Sequence, residues 1–542
     1  MNHSHQKYYL FFLLIPIARL FFGLADIEVQ PWDESLYAVR AKSALYFGDW
    51  LDQSTHAIQG LYSAAHPPLF IWLTSLSMKL FGINDLTVRI WSAIAGALTI
   101  FLVYLTPQRR SEGLFAAFTL SGIGFFSTFS RMGQLDIFYT FFIMLGLYFW
   151  RQFERTEHTR GISLVGVAFG LAMMSKIIVG LFLPMAIAGY ILTLIFWKQI
   201  SWQLALRQWL AIFVIGCLIA APWHLFMWVR HGREFIDYYL LFHIYQRALF
   251  GVESNVPRLG RLFFVNQLPV MMSLSLVAAF IPISKLFKTK DRYTLLYLWA
   301  FLVPFVIFSI SATKLRTYAI PMLPPLALLS GRGFRYLWRE KRVHPALIAA
   351  MSILSIWGSS QEMRNFVRNW RKDMSLFAFF IIAASSLLLF YLFSIKRPGK
   401  TPSGRTVVAV ALIYLSILTG VPSTIHYSSG LPKIAEQFYQ ERCLDLVAID
   451  TTAFPSPQIS YYFNGIDLGW DQSYRFNYIR PDSLTDSLWV EQTLGGFRNP
   501  NYVIVNNLHS DDSFHPIIKW LEQRSDILLK NKYYLIYRYS PR

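Results

Sequence analysis

Charge is what this sequence has least of: only 15% of its 542 residues are Asp, Glu, Lys or Arg, while 54% are hydrophobic and 17% aromatic. A soluble globular chain carries about a quarter charged residues, so this balance excludes a soluble enzyme and leaves a membrane class. Cysteine is almost absent. Cys217 lies in an apolar run and Cys443 in a polar tail, which excludes a disulfide framework and a cysteine zinc site. Acidic residues are also few, 31 against 50 Lys and Arg, giving a net charge of +19. The basic residues sit in short clusters between apolar stretches instead of along one face, which is not the footprint of a nucleic-acid binder. No Gly-rich nucleotide loop and no obvious internal repeat is evident.

What the chain does have is apolar length. A helix needs about 20 apolar residues to cross the hydrocarbon core. Thirteen segments of roughly that kind are read at 8–25, 89–106, 112–130, 135–150, 161–175, 177–197, 208–229, 262–284, 292–311, 317–334, 344–360, 374–395 and 405–421. The first follows Lys7, carries Arg19 and lacks a small-x-small cleavage site, so it is read as a retained span and not a signal peptide. The basic clusters at Arg109-Arg110, 151–160, 285–292, 332–342 and 396–405 fall on one side if the N-terminus is cytoplasmic. Arg364, Arg368, Arg371 and Lys372 dissent from that pattern.

With an odd number of spans, residues 422–542 lie outside. This tail alternates strand-like runs at 444–450, 459–463, 502–505 and 533–539 with a helical stretch near 517–523, which predicts a small α/β domain. The other large outer segment is 26–88, too long and too patterned for a linker.

In that outer loop, Pro31-Trp32-Asp33-Glu34 opens a stretch with apolar residues at Tyr37, Ala41, Ala44 and Leu45, closed by Gly48. It predicts an amphipathic helix on the membrane surface, with acids that either cap it or do chemistry. His66-Pro67-Pro68 follows, then an apolar stretch at 69–81 that suits a second interfacial helix. Charges near spans are costly without a partner or a task. Arg131, Asp136, Lys176, His243, Arg247, Lys314 and Arg316 all fall on the outer side with Asp33, Glu34 and His66. The bland alternative pairs Arg131 with Asp136 and sends the lysines to lipid phosphates.

Several motifs in order carry a resemblance. They are Trp32-Asp33-Glu34 with Tyr37, Gly48-Asp49-Trp50, His66-Pro67-Pro68 with Trp72, Arg131 to Asp136 and Thr140, and Gly170-Leu171 to Ser175-Lys176. Pro222-Trp223, Phe235 to Arg247, and Lys314-Leu315-Arg316-Thr317-Tyr318 with Pro321 continue the series. Together, over about 8–340, they resemble the GT-C glycosyltransferases of the aminoarabinose transferase and protein mannosyltransferase families. The resemblance implies a GT-C fold, with domain 1–421 transmembrane and catalytic and 422–542 periplasmic, in the bacterial inner membrane with the N-terminus cytoplasmic. It also implies an inverting glycosyltransferase that moves a sugar from a polyprenyl-phosphate donor to a glycolipid, polysaccharide or protein acceptor in the cell envelope. Asp33 matches the family's loop aspartate as base, with Asp136 as a second essential acid. Lys176, Lys314, Arg316, Tyr318 and Arg247 would hold the donor phosphate, with Glu34, Tyr37 and Arg131 in support. Where the aminoarabinose enzymes carry an acidic-basic pair and an Arg, this chain has Ala65, His66 and Leu36, which argues against aminoarabinose as the sugar. His66 and His243 are left as candidate ligands for a divalent metal. A transporter or lipid flippase with an outward-facing charged site is the competing reading.

Overall fold

The computed structural model describes residues 13–176, 178–251, 260–355, 357, 402–420, 429–441, 443–450, 456–480, 501–507 and 515–539. Its contacts divide the chain into two compact units. One holds residues 1–24, 65–73 and 89–426, and the other residues 25–64, 74–88 and 427–542. Residues 25–64 and 74–88 of the outer segment thus group with the tail, whereas residues 65–73 group with the first unit.

Unit one is helical. Every expected span that has described residues contains helix, while 374–395 and the dissenting basic cluster at 364–372 lie outside the described residues. Among the described residues, Asp85–Leu105, Val179–Phe196, Trp202–His231 and Arg292–Ile310 are long and apolar enough to cross a membrane. Two bent pairs raise that number from four to six: Arg110–Ser121 with Gly124–Ser130, bent by 74°, and Phe263–Met272 with Leu274–Thr289, bent by 109°. Among the described residues, helix length and apolarity thus support four to six of the thirteen expected spans. The reasons are local: Arg160–Met173, Pro345–Ser355 and Gly404–Leu415 are short, and Leu135–Thr156 carries Asp136, Arg151, Glu154 and Arg155. The expected span 262–284 breaks at Ser273, where φ is 49°, so it is two helices and not one.

Without a hydrophobic force between helices in lipid, close packing relies on small residues. Arg160–Met173 meets Trp202–His231 this way: a Cβ at Gly170 would lie 2.7 Å from Ile219 Cβ and 2.9 Å from the Gly216 carbonyl oxygen.

One end of unit one is tied by charge. Glu112 accepts from Arg332 Nη1 at 3.0 Å and from Arg335. Arg332 Nη2 reaches Asp291 at 2.9 Å, and Asp291 caps Arg292–Ile310 by accepting from Thr294 N at 2.7 Å. The Arg151 guanidinium lies 3.4 Å from the Tyr293 ring centroid. Members of three of the expected basic clusters, 151–160, 285–292 and 332–342, thus converge at this end around Glu112.

Unit two is an α/β layer around a five-stranded sheet, β1 Asp445–Ile449, β2 Arg475–Ile479, β3 Asn501–Asn506, β4 Ser525–Lys530 and β5 Tyr534–Tyr539, in the order β2-β1-β3-β5-β4. β1 pairs in parallel with β2 and β3, whereas β5 pairs antiparallel with β3 and β4. Side chains alternate between faces. Val447, Ile449, Val503, Val505, Leu535 and Tyr537 pack on Ile517, Trp520 and Leu521 of the helix His515–Arg524. Leu446, Ala448, Tyr502, Ile504, Tyr534 and Ile536 pack on the helix Leu431–Gln440 and on Ile459.

The run 459–463 expected as a strand is instead the helix Pro457–Tyr462, with proline in its first turn, where a missing N–H costs nothing. The outer segment is knitted into this unit. Glu28 accepts from Ser429 N at 2.6 Å and Gly430 N at 3.1 Å, satisfying the start of Leu431–Gln440, and Tyr462 donates to Asp85 at 3.1 Å. The helix Asp33–Phe47 ends at Gly48 in a left-handed C-cap, φ 76°, as expected. It is not buried on one face only: Glu34, Ser35 and all of Tyr37 to Ala44 are buried.

Candidate functional site

In unit one the helix Leu135–Thr156 begins after Gln134, which is extended, so Asp136 sits in its first turn where the helix dipole favours an anion. Lys176 arrives from the other side, in the turn that ends Arg160–Met173. Its Nζ donates to Asp136 Oδ1 at 2.9 Å, both side chains being largely buried, and lies 5.5 Å from the Tyr139 ring centroid. Asp136 therefore pairs with Lys176 and not with Arg131.

The turn that carries Lys176 is held under strain. Ile178 has φ 49°, a left-handed backbone that a β-branched residue avoids and that persists only where the surroundings enforce it. The Tyr239 hydroxyl takes a hydrogen bond from the Ile178 backbone. His224 Nε2 lies 2.8 Å from that hydroxyl and His224 Nδ1 lies 2.7 Å from Ala220 O. Because a carbonyl can only accept, Nδ1 carries the proton and Tyr239 donates to Nε2. This relay fastens the Lys176 turn to Trp202–His231 and to the π-helix Asp237–Gln246, and π-helical turns recur at functional sites.

The π-helix runs into Arg247, whose side chain hydrogen-bonds Tyr318, with Lys176 and Asp136 within electrostatic reach of the same phenol. Tyr318 is buried in the 3₁₀ turn Arg316–Met322 and stacks on Phe308 with ring centroids 4.3 Å apart. Arg247 O accepts from Thr313 N at 3.0 Å, so the 311–316 loop is docked on this residue. Four of the predicted residues, Asp136, Lys176, Arg247 and Tyr318, are thus brought together from four chain segments.

Others are placed differently. Lys314 donates to Phe308 O at 2.9 Å, Ser309 O at 2.7 Å and Ser311 O, so its three ammonium protons cap the end of Arg292–Ile310. Arg316 is exposed at the start of its turn. Arg131 donates to Arg19 O at 2.7 Å and Phe22 O at 2.6 Å, closing the end of the helix at residues 13–21. His66 and His243 have ring centroids 4.7 Å apart, and Leu69 N, just past the His66 prolines, bonds Met174 O at 3.1 Å beside the Lys176 turn. A two-histidine pair is short of a metal site, and among the described residues no group of three His, Cys, Asp or Glu is placed to hold an ion.

In unit two Asp33 is the first residue of Asp33–Phe47 and exposed. Trp32 before it has φ 70°, a strained backbone for an indole residue. Glu34 is wholly buried and accepts from Gln30 N at 2.6 Å, which makes it a structural brace of the turn. Tyr37 is buried. Arg40, held by Gln53 at 2.8 Å and Ser63 O at 2.9 Å, has its pKa brought down to about 10 by burial. Burial likewise brings Lys42 to about 8 against the pull of Asp85. Tyr139, His224 and Tyr239 escaped sequence reasoning, since a lone aromatic or histidine in an apolar run carries no pattern; only the order of motifs around Pro222 pointed to that stretch.

Residues 65–228 match the family described as dolichyl-phosphate-mannose-protein mannosyltransferase. The chain is 30% identical over 322 residues to the undecaprenyl phosphate-α-4-amino-4-deoxy-L-arabinose arabinosyl transferase of Pseudomonas paraeruginosa, covering 56% of this chain and 55% of that one. It is 28% identical over 335 residues to an uncharacterised protein of Aquifex aeolicus, covering 59% and 62%. The match thus spans little more than half the length of these relatives. In fold the chain is similar to ArnT from Cupriavidus metallidurans bound to undecaprenyl phosphate, with a TM-score of 0.69, 18% identity and coverage of 99% and 98%.

Proposed function

We propose that this chain, an integral membrane protein of the GT-C superfamily and of the aminoarabinose transferase and protein mannosyltransferase type, is an inverting glycosyltransferase that uses a polyprenyl-phosphate sugar at the outer face of the membrane. The observation that carries this reading is the buried Asp136–Lys176 pair with Arg247 and Tyr318 beside it. A phosphate leaving group gains negative charge as its bond to the sugar breaks, and fixed cations with little water around them stabilise that charge most. Support for a phosphate-bearing lipid comes from the fold, which an undecaprenyl phosphate-bound protein shares.

In the reaction, the acceptor hydroxyl oxygen bonds to the anomeric carbon while the bond from that carbon to the phosphate oxygen breaks, inverting the centre. The acceptor proton passes to the Asp33 carboxylate, and the electron pair leaves on the polyprenyl phosphate. Lys176 and Arg247 take the phosphate oxygens, and the Tyr318 hydroxyl adds a donor. Asp136 holds Lys176 in place. Lys314 acts at one remove, by ending the helix that leads into the Tyr318 turn, while Arg131 ends the helix at residues 13–21. A carrier of similar topology gives no reason for a carboxylate at a strained helix start, so the transfer reading is favoured.

The test is transfer in proteoliposomes from a polyprenyl-phosphate sugar. Lys176→Ala is expected to lower turnover by about 10²- to 10³-fold, the size seen when one charge-stabilising donor is removed, and Asp136→Asn to weaken it through Lys176. Unchanged turnover in Lys176→Ala would remove the phosphate role.

A further inference from the structure

Unit two carries a surface cavity of about 250 Å³ lined by Tyr439, Phe463, Asn464, Ile466, Asp471 and Tyr474. None of these residues enters the transfer chemistry. The cavity is shaped by a tight turn between Asn464, φ 49°, and Gly469, φ 67°. Asn464 tolerates that backbone better than most residues. Gly465, φ 70°, is required twice over, because a Cβ there would run into the Trp470 ring that folds back onto it. Trp470 N closes the turn on Gly465 O at 3.2 Å.

The polar groups are oriented. Lys42 Nζ donates to Asn464 Oδ1 at 2.9 Å and to Tyr461 O at 2.5 Å, which turns the Asn464 amide nitrogen toward its hydrogen bond with the Tyr439 side chain. Asp471 Oδ1 accepts from Ser473 N at 2.9 Å, and the carboxylate is exposed. Two walls are aromatic: the Tyr439 and Tyr474 rings stand 5.4 Å apart at 84°. Beyond the rim, Trp470 meets Phe47 at 5.4 Å and Tyr46 at 6.1 Å, both of which are exposed.

We propose that this cavity is a carbohydrate-binding subsite that takes one pyranose ring. A sugar presents a C–H face, which suits the electron-rich face of an aromatic ring, and a rim of hydroxyls, which suits a carboxylate acceptor beside an amide. The volume lies below the ~300 Å³ at which drug-sized pockets begin, so it fits a single ring. A phosphate is disfavoured, because Asp471 is the exposed charge of the lining and the Lys42 ammonium is committed to Asn464 and Tyr461. A lipid tail finds too little length and too polar a rim.

The experiment is saturation-transfer NMR on the full chain in nanodiscs, with methyl β-galactopyranoside, methyl α-mannopyranoside and methyl β-N-acetylglucosaminide as probes and cyclohexanol as an apolar ring control. At least one glycoside is expected to receive saturation where cyclohexanol does not. Tyr474→Ala is expected to weaken that binding about fivefold or more, the size of about 1 kcal/mol from a lost ring contact. Asp471→Asn, an exposed change that leaves packing intact, is expected to weaken it by about half that factor. Asp136→Asn should bind as the unsubstituted chain does, so loss of transfer and loss of this subsite read out separately. No saturation of any glycoside, equal saturation of cyclohexanol, or binding unchanged in both cavity variants overturns the proposal.

Discussion

At the residue scale, the structure separates charges that pair with each other from charges that hold the backbone. Asp136 and Lys176 face each other, whereas Lys314, Arg131 and Glu34 each satisfy backbone groups at a helix end. The sequence shows only that a charge sits near a span, and both kinds look alike there, because a cation capping carbonyls and a cation awaiting phosphate occupy the same turns. What was legible was that Asp136, Lys176, Arg247 and Tyr318 belong to one ordered series of motifs; which of them meet, and that Lys314 and Arg131 cap helices, required the hydrogen bonds. Asp467 of unit two gives a pH prediction. Burial raises its carboxyl from the ordinary 3.8 to about 6, against the bonds from Ser460 and its own backbone. A carboxyl raised by folding costs stability when ionised, so unit two is most stable below about pH 4 as far as this group is concerned, and loses that contribution between pH 4 and 6. Asp467→Asn is expected to raise the melting temperature at pH 7 and to flatten its slope between pH 4 and 6. A slope unchanged by the substitution would show that Asp467 does not set it.

At the element scale, the sheet of unit two shows what a pattern can and cannot announce. β1, β3 and β5 fill the middle of the order and were expected from their apolar runs, while β2 and β4 were not. Both of the latter are edges. β2 is exposed at Arg475 and half-buried to Tyr478, and β4 has a bulge at Ile527 and Leu529, so neither offers the continuous apolar signal of a strand covered on both faces. Spans blur for a related reason: a window of apolar residues does not register a 109° bend at Ser273. The charge clasp is the element-scale prediction. Glu112 is 3% exposed and answers Arg332 and Arg335, joining Arg110–Ser121 to Leu323–Arg339. Glu112→Ala leaves half-buried Arg335 without this anion and buried Arg332 with Asp291 alone, and is expected to cost about 3 kcal/mol, the low end for breaking a buried pair, visible as a lower melting temperature in detergent with the site residues untouched. A loss under 1 kcal/mol would mean that solvent reaches the clasp.

At the scale of the whole molecule, one helix connects the two charged regions of unit one. Asp136 starts Leu135–Thr156 and Arg151 lies near its end, a separation of about 22 Å at 1.5 Å per residue, comparable with the ~30 Å hydrocarbon core. The proposed phosphate cluster and the clasp of basic loops therefore lie at opposite ends of this helix, and from the positive-inside bias we propose that the clasp faces the cytoplasm. With Cys217 and Cys443 replaced, Ser473→Cys is expected to react with an impermeant maleimide in intact cells, and Lys290→Cys only after permeabilisation. Labelling of both from outside would reverse the orientation. The sugar and its acceptor depend on surfaces that no spacing encodes, whereas the proposed donor class is what the ordered family motifs imply. The proposed base is Asp33, exposed at a helix start next to strained Trp32. Its most direct test is single-turnover transfer from a polyprenyl-phosphate sugar in proteoliposomes by the Asp33→Asn chain. We expect donor binding to persist while the rate falls by about 10²- to 10⁴-fold, the share of a general base; transfer at the unsubstituted rate would contradict the proposed mechanism.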